Sequence, residues 1–152
     1  MKPKVVIGID PGATGAIALL GNDLLLVEDW PGDIGGAADL LRAWAATYQI
    51  QMAGLERVAS RPGQGVSSVF SFGTNYGAWQ GILAGLGVPV VLLTPQAWQK
   101  RILCPSDGPD PKARSLAVAR RLFPDAELTR KKDHGRADAL LLAEVVRRHY
   151  TF

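Results

Sequence analysis

Val5-Val6-Ile7-Gly8-Ile9-Asp10-Pro11-Gly12-Ala13-Thr14-Gly15 drives a mostly apolar run into an acid and then into a turn. Val5 to Ile9 carry no charge and are rich in Val and Ile, which reads as a strand buried on both faces. Pro11, Gly12 and Gly15 then break the chain into a turn. Asp10 is left at the carboxyl end of a core strand, where a charge is costly to bury without a positive partner. Two more acids repeat the pattern. Glu56 closes Met52-Ala53-Gly54-Leu55, and Asp138 stands near the start of the apolar helical segment Ala137-Asp138-Ala139-Leu140-Leu141-Leu142. Three carboxylates brought together repel one another, and a divalent cation is the simplest compensation.

The neighbouring segments supply the frame. Residues 16–20 and 24–29 read as strands joined by a Gly21-Asn22-Asp23 hairpin turn. Residues 34–48 are helical, because Leu40, Leu41, Trp44 and Ala45 recur at helix spacing. Strands follow at 51–56 and 88–93, with a long helix over 66–86 between them. Pro95 opens a short helix reaching Ile102, Asp110-Pro111 opens another that ends near Phe123-Pro124, and 136–150 forms the last. In the long helix, Gly73, Gly77, Gly81 and Gly85 recur every fourth residue. Glycine at that spacing weakens a helix, and close approach of another backbone explains it, inside the domain by preference or else at a dimer interface.

An opening three-stranded meander followed by α/β units excludes a doubly wound nucleotide fold, which alternates from its start. The order predicts one α/β domain over residues 1–152. It has a mixed five-stranded sheet, a three-stranded antiparallel meander plus two parallel strands, with helices on both faces. No repeat or linker interrupts it.

With 152 residues, 47% of them hydrophobic and 20% charged, the chain has enough apolar content for a core and too much for disorder. No apolar run is long enough to span a bilayer. Met1-Lys2-Pro3-Lys4 leads directly into a strand and reads as a mature N-terminus. One cysteine, Cys104, excludes an internal disulfide and offers no zinc spacing, which favours a reducing, intracellular setting. Residues 1–56 hold three basic and seven acidic side chains, net −4; residues 57–152 hold fourteen and seven, net +7. A basic part beside an acidic site suits a polyanion drawn toward metal-loaded carboxylates, although solvated helix faces give the same count.

Residues at the carboxyl ends of parallel strands share one sheet edge, so Asp10 and Glu56 are expected side by side there. Asp138 completes the cluster if the last helix packs on that edge. Mg²⁺ or Mn²⁺ takes such oxygen ligands, and two ions about 3.5–4 Å apart serve an in-line phosphoryl displacement. Each acid also has a plainer role: Asp10 in its turn, Glu56 paired with Arg57 or Arg61, Asp138 facing the helix dipole. The fourth ligand is left open between His134, four residues before Asp138, and Asp133, whose alternatives are solvent exposure and helix capping. Lys100, Arg101, Lys112 and Arg114 are candidate phosphate contacts, and Arg130-Lys131-Lys132 a second set.

Ile7-Gly8-Ile9-Asp10-Pro11-Gly12 with Thr14-Gly15, then Leu55-Glu56-Arg57-Val58, then Arg136-Ala137-Asp138-Ala139-Leu140-Leu141-Leu142-Ala143 resemble, in this order, the RuvC family of Holliday junction resolvases. The segment from Gly73 to Val91 resembles that family's central helix and following strand. Ser67 to Gly77 and Thr94-Pro95-Gln96-Ala97-Trp98 look closer to its short phage-type members. The resemblance implies an RNase H-like fold, a homodimer, and paired symmetric nicks in four-way DNA junctions with Mg²⁺ or Mn²⁺. It implies a location in the cytoplasm of a bacterium or a phage-infected cell, with no membrane partner. It makes Asp10, Glu56 and Asp138 metal ligands, with Asp133 or His134 the fourth, because Gly135 stands where the family carries a further acid or histidine. It makes Lys100 and Lys112 phosphate-facing residues. Arg57, Arg61, Lys131 and Lys132 are further candidate DNA contacts. Ala59 stands near the family's aromatic wedge, which leaves junction opening to Phe70, Phe72 or Tyr76.

Three other readings compete. An actin-like ATPase or sugar kinase shares the phosphate-loop appearance of Asp10 to Gly15, but needs two lobes around its nucleotide. A non-catalytic junction-binding module would keep shape recognition alone. An RNase H-fold nuclease could act instead on other branched or single-stranded substrates.

Overall fold

Central strand β1 (Lys4–Asp10) is flanked on one side by an antiparallel meander of β2 (Ala16–Gly21) and β3 (Leu24–Asp29). On its other side lie two parallel neighbours, β4 (Gln49–Glu56) and β5 (Val90–Leu93). The computed structural model describes residues 1–151. The sheet order is β3-β2-β1-β4-β5, the mixed five-stranded sheet that the sequence predicts. Alternation along β1 separates two cores. Val5, Ile7 and Ile9 pack against α1 (Ile34–Thr47) and α2 (Val66–Gly85). Val6 shares the other core with α3 (Pro95–Ile102), α4 (Pro111–Leu122) and α5 (His134–His149). Among the described residues no helix is long and apolar enough to cross a membrane.

Local chemistry sets the boundaries. The side chains of Asp33, Thr94 and Asp110 each accept a hydrogen bond from a backbone N–H in the first turn of α1, α3 and α4, and Pro95 and Pro111 sit at the start of theirs. β5 starts two residues later than the sequence predicts. Pro89 has no N–H to give a ladder, although its carbonyl accepts from the Ala53 N–H at 2.9 Å. The last helix starts two residues earlier than predicted, because a 3₁₀ turn, Lys131–Asp133, winds directly into it. A second 3₁₀ turn, Pro105–Asp107, occupies the loop before α4.

The close helix approach expected of α2 belongs to α5 instead. A Cβ at Gly73, Gly77, Gly81 or Gly85 would meet no atom within 4 Å, so that stripe faces open space and packs against nothing in the domain. A Cβ at Gly8 would lie 2.1 Å from the Ala139 carbonyl and 2.4 Å from the Ala143 nitrogen. Gly54, the register partner of Gly8, would place one 2.5 Å from Val146 Cγ2. Gly135 would place one 2.3 Å from the Thr14 carbonyl. α5 therefore lies on β1, β4 and the β1–β2 turn through Gly135, Ala139, Ala143 and Val146, one face at helix spacing.

This close contact sets a test. Gly8→Ala must push α5 off the sheet and is expected to cost about 3 kcal/mol in urea denaturation. Gly81→Ala meets nothing and should leave the folded domain as stable or up to about 1 kcal/mol more stable. Equal stability of the two variants would contradict the seating of α5.

Candidate active site

Asp10 and Glu56 end the adjacent parallel strands β1 and β4, whose register pairs Ile9 with Leu55 immediately before them. Asp138 lies in the second turn of α5, above the same strand ends. All three are half-buried, and the charge of Asp10 is felt at Glu56 and Asp138, as is that of Glu56 at Asp138. Asp10 is raised above the usual carboxylate range by desolvation, against the opposing pull of the Gly12 N–H, 3.1 Å from its Oδ1, and of the His134 charge. Glu56 is pushed up to about 7, first by desolvation and then by the charge of Asp10. Trp98 and Arg61 restrain it; the Trp98 indole N–H donates to Glu56 Oε2 at 2.8 Å. Asp138 is raised well above its usual value by desolvation and the charges of Asp10 and Glu56, while Ser115 and Lys112 pull it back. Ser115 is buried beside Asp138, yet its hydroxyl closes no hydrogen bond of normal geometry.

These side chains fit a hard cation in chemistry: three carboxylates come from two adjacent strand ends and the helix beside them, and none is ion-paired to a lysine or arginine among the described residues. They do not form a closed cage. Among the described residues no three His, Cys, Asp or Glu side chains stand close enough together to hold an ion. Within this arrangement the Gly12 N–H holds Asp10 and the Trp98 indole N–H holds Glu56.

The two candidates for a fourth donor separate. His134, the first residue of α5, lies within electrostatic reach of Asp10. Asp133 is 1% exposed and already saturated. It accepts from the Arg130 backbone N–H at 2.7 Å and from Arg130 Nε at 2.8 Å, with Arg136 Nε at 3.9 Å. Arg130 also binds Asp29 at the end of β3 at 2.9 Å, and Arg136 binds the same Asp29 at 2.7 Å. Asp133 is therefore the centre of an ion-pair network that pins the 3₁₀ turn to the sheet. The pairing with Arg130 holds its pKa below the usual value against the desolvation that raises it. Gly135 has no room for a larger residue, since Thr14 and Gly15 lie against it.

The basic candidates divide as well. Lys112 and Arg61 are exposed, and their charges reach Asp138 and Glu56. Arg57 is exposed just beyond Glu56, with its backbone N–H on Leu93. Arg114 gives its Nε to the Gly108 carbonyl at 2.8 Å and supports the loop before α4. Lys100 and Arg101 border a depression shared with Arg121 and Arg148, and Arg101 lies over the Tyr150 ring. Lys132 is 3.9 Å from Asp29, while Lys131 is exposed and forms no ion pair among the described residues. Phe72 and Tyr76 are half-buried against the 58–64 loop, whereas Phe70 is 77% exposed. Trp98 and Ser115 are absent from the sequence-based site. Only the need of a buried indole N–H for an acceptor hinted at the first.

The raised acids fix a pH response. Glu56 binds its proton more tightly folded, at about 7, than unfolded, at the model-compound value of 4.5. Its contribution is fully present below about 4.5 and is lost as pH rises through 7, on the order of 3 kcal/mol. Asp10 and Asp138 act in the same direction. Metal-free protein should lose thermal stability between pH 4.5 and 7, and Mg²⁺ should raise the melting temperature more at pH 8 than at pH 5.5; a flat profile would contradict the raised proton affinity of the buried acids.

Known proteins were compared with this arrangement. No protein-family model matches the sequence. The chloroplastic Holliday junction resolvase MOC1 of Chlamydomonas reinhardtii is 40% identical over 85 residues, 54% of this chain and 9% of that protein, so the match spans under a tenth of the relative. The structure of T. thermophilus RuvC in complex with a Holliday junction substrate superposes with a TM-score of 0.68 at 17% identity, covering 97% of both chains. A second structure of Thermus thermophilus RuvC gives 0.63 at 21% identity over 95% of each. The yeast mitochondrial Holliday junction resolvase Ydc2 gives 0.53 at 17% identity, over 98% of this chain and 82% of that one. The chain thus has the RuvC-type, RNase H-like fold, and both its sequence and its structure are similar to Holliday junction resolvases.

Proposed function

We propose that this chain is a metal-dependent, structure-selective DNA endonuclease that resolves four-way junctions by paired symmetric nicks. The observation that carries the proposal is the meeting of Asp10, Glu56 and Asp138, from two strands and a helix, at one sheet edge of a RuvC-type fold. These three would hold Mg²⁺ or Mn²⁺, as the pair of ions that phosphodiester cleavage uses, with His134 as the fourth donor. Bound there, such ions supply an activated water and stabilise the leaving oxygen. The bonds from Arg130 to Asp133, with Arg136 nearby, support leaving Asp133 out of the ligand set.

The protein's own residues do the rest. Lys112 and Arg61, exposed beside the acids, position the DNA backbone without reading sequence. Arg57 and Lys131 extend that surface. Phe70 is the aromatic free to enter the junction. The open glycine stripe of α2 is the contact of a homodimer whose twofold axis matches the symmetry of a four-way junction. Residues 1–152 act as one nuclease domain of the phage type, to which Thr94-Pro95-Gln96-Ala97-Trp98 is similar, in a reducing cytoplasm that suits the exposed Cys104.

The open spacing of the acids favours a second reading, a junction-binding module without catalysis. One assay separates the two. A synthetic four-way junction with both continuous strands labelled should be nicked symmetrically when Mg²⁺ or Mn²⁺ is added, and Asp10→Asn should abolish nicking while keeping junction affinity in chelator. Binding without any nicking would select the module; nicking by Asp10→Asn at the wild-type rate would remove Asp10 from the chemistry.

The fourth donor has its own test. His134→Ala should weaken Mn²⁺ binding about tenfold in calorimetry with little change in melting temperature. Asp133→Asn should cost about 1–3 kcal/mol of stability and leave Mn²⁺ affinity nearly unchanged. The opposite pattern would return Asp133 to the ligand set.

A further inference from the structure

Trp98 is fully buried, with its ring in the core that α3 shares with α4 and α5. Its indole N–H donates to Glu56 Oε2 at 2.8 Å. Burial alone does not enforce that bond. Trp79 is 1% exposed and its indole N–H has no partner among the described residues, so this fold carries a core tryptophan without an acceptor. The backbone locks the Trp98 pair from both ends. The N–H of Arg57, next to Glu56, donates to the Leu93 carbonyl at 2.7 Å, tying the end of β4 to the end of β5. Thr94 and Pro95 then turn the chain into α3, with Thr94 Oγ1 accepting from the Ala97 N–H at 3.1 Å.

The chemistry of the donor matters. An arginine or lysine at this place would hold Glu56 equally well, but its charge would cancel the carboxylate and repel a cation. A neutral indole N–H holds one oxygen and leaves the negative charge in place. Building on the metal-binding role of Glu56 above, we propose that Trp98 is a positioning residue for the metal site: it fixes the Glu56 carboxylate at the strand end while preserving its charge for the cation.

The test uses Trp98→Phe, which keeps an aromatic ring in the core and removes the donor, with Mn²⁺ binding read by titration calorimetry. Affinity should fall about tenfold, the usual loss when a ligand's hydrogen-bond partner is removed. In a Glu56→Gln background the same change should alter Mn²⁺ affinity by less than about twofold, because the carboxylate it orients is gone. Junction affinity in chelator should stay near wild type. An unchanged Mn²⁺ affinity in Trp98→Phe, or an equal loss in both backgrounds, would reduce Trp98 to a core residue. If Glu56→Gln alone leaves Mn²⁺ binding intact, the metal-site reading falls and this role with it; if Glu56→Gln weakens binding and Trp98→Phe does not, only the role of Trp98 falls. Should Trp98→Phe not fold, ¹⁵N-indole spectra of the unaltered ring decide the matter. The Trp98 Nε1–H resonance should shift as Mg²⁺ is titrated and should not shift in Glu56→Ala, whereas a resonance indifferent to Mg²⁺ would overturn the proposal.

Discussion

The backbone-to-backbone seat of α5 on Gly8 decides where the candidate site lies. Asp10 and Glu56 reach the sheet edge by strand register alone, but Asp138 and His134 come from a helix, and a helix can slide or lift. Ala139 and Ala143 rest on Gly8, and Gly135 rests on Thr14, with no space for a single additional carbon at either glycine. The Asp29–Arg130–Asp133–Arg136 network then anchors the turn that enters the helix. Packing fixes the height of α5 above the sheet, and the network holds its first turn near the end of β3. Together they deliver two side chains to the neighbourhood of Asp10.

That delivery carries an electrostatic cost. Burial raises the pKa of Asp10, Glu56 and Asp138 alike, and the charge of Asp10 adds to it at Glu56 and Asp138, so each is a stronger proton binder than a free carboxylate. The protein offsets this with small neutral donors, the Gly12 N–H and the Trp98 indole, and with cations kept at the rim, such as Lys112 and Arg61. No arginine is ion-paired to any of the three among the described residues, while Asp29 and Asp133 are both held by arginine. The fold thus distinguishes the acids it pairs with arginine from the three it leaves without an ion-pair partner among the described residues.

Much of this was legible in the chain. Alternation, turn residues and helix spacing gave the element order and the mixed sheet, because those signals are local. Asp10 and Glu56 were found as a pair because parallel strands force their carboxyl ends to one edge. Three features were hidden for physical reasons. Gly8 and Gly54 look like ordinary strand glycines until a helix is seen lying on them. The α2 stripe promised close approach, yet spacing cannot say whether a partner is there. Asp133 looked like a ligand because its neutraliser, Arg130, is itself bound to Asp29, 101 residues away in sequence. Trp98 to Glu56 is likewise a contact across 42 positions, invisible to any local pattern.

The central claim is that these three acids share cations. Manganese-edge anomalous diffraction from crystals grown with Mn²⁺ addresses it most directly. The account predicts anomalous density in contact with Asp10, Glu56 and Asp138, with His134 at its border and Asp133 still held by Arg130. Ordered Mn²⁺ found only elsewhere, or none at these carboxylates at saturating metal, would contradict it.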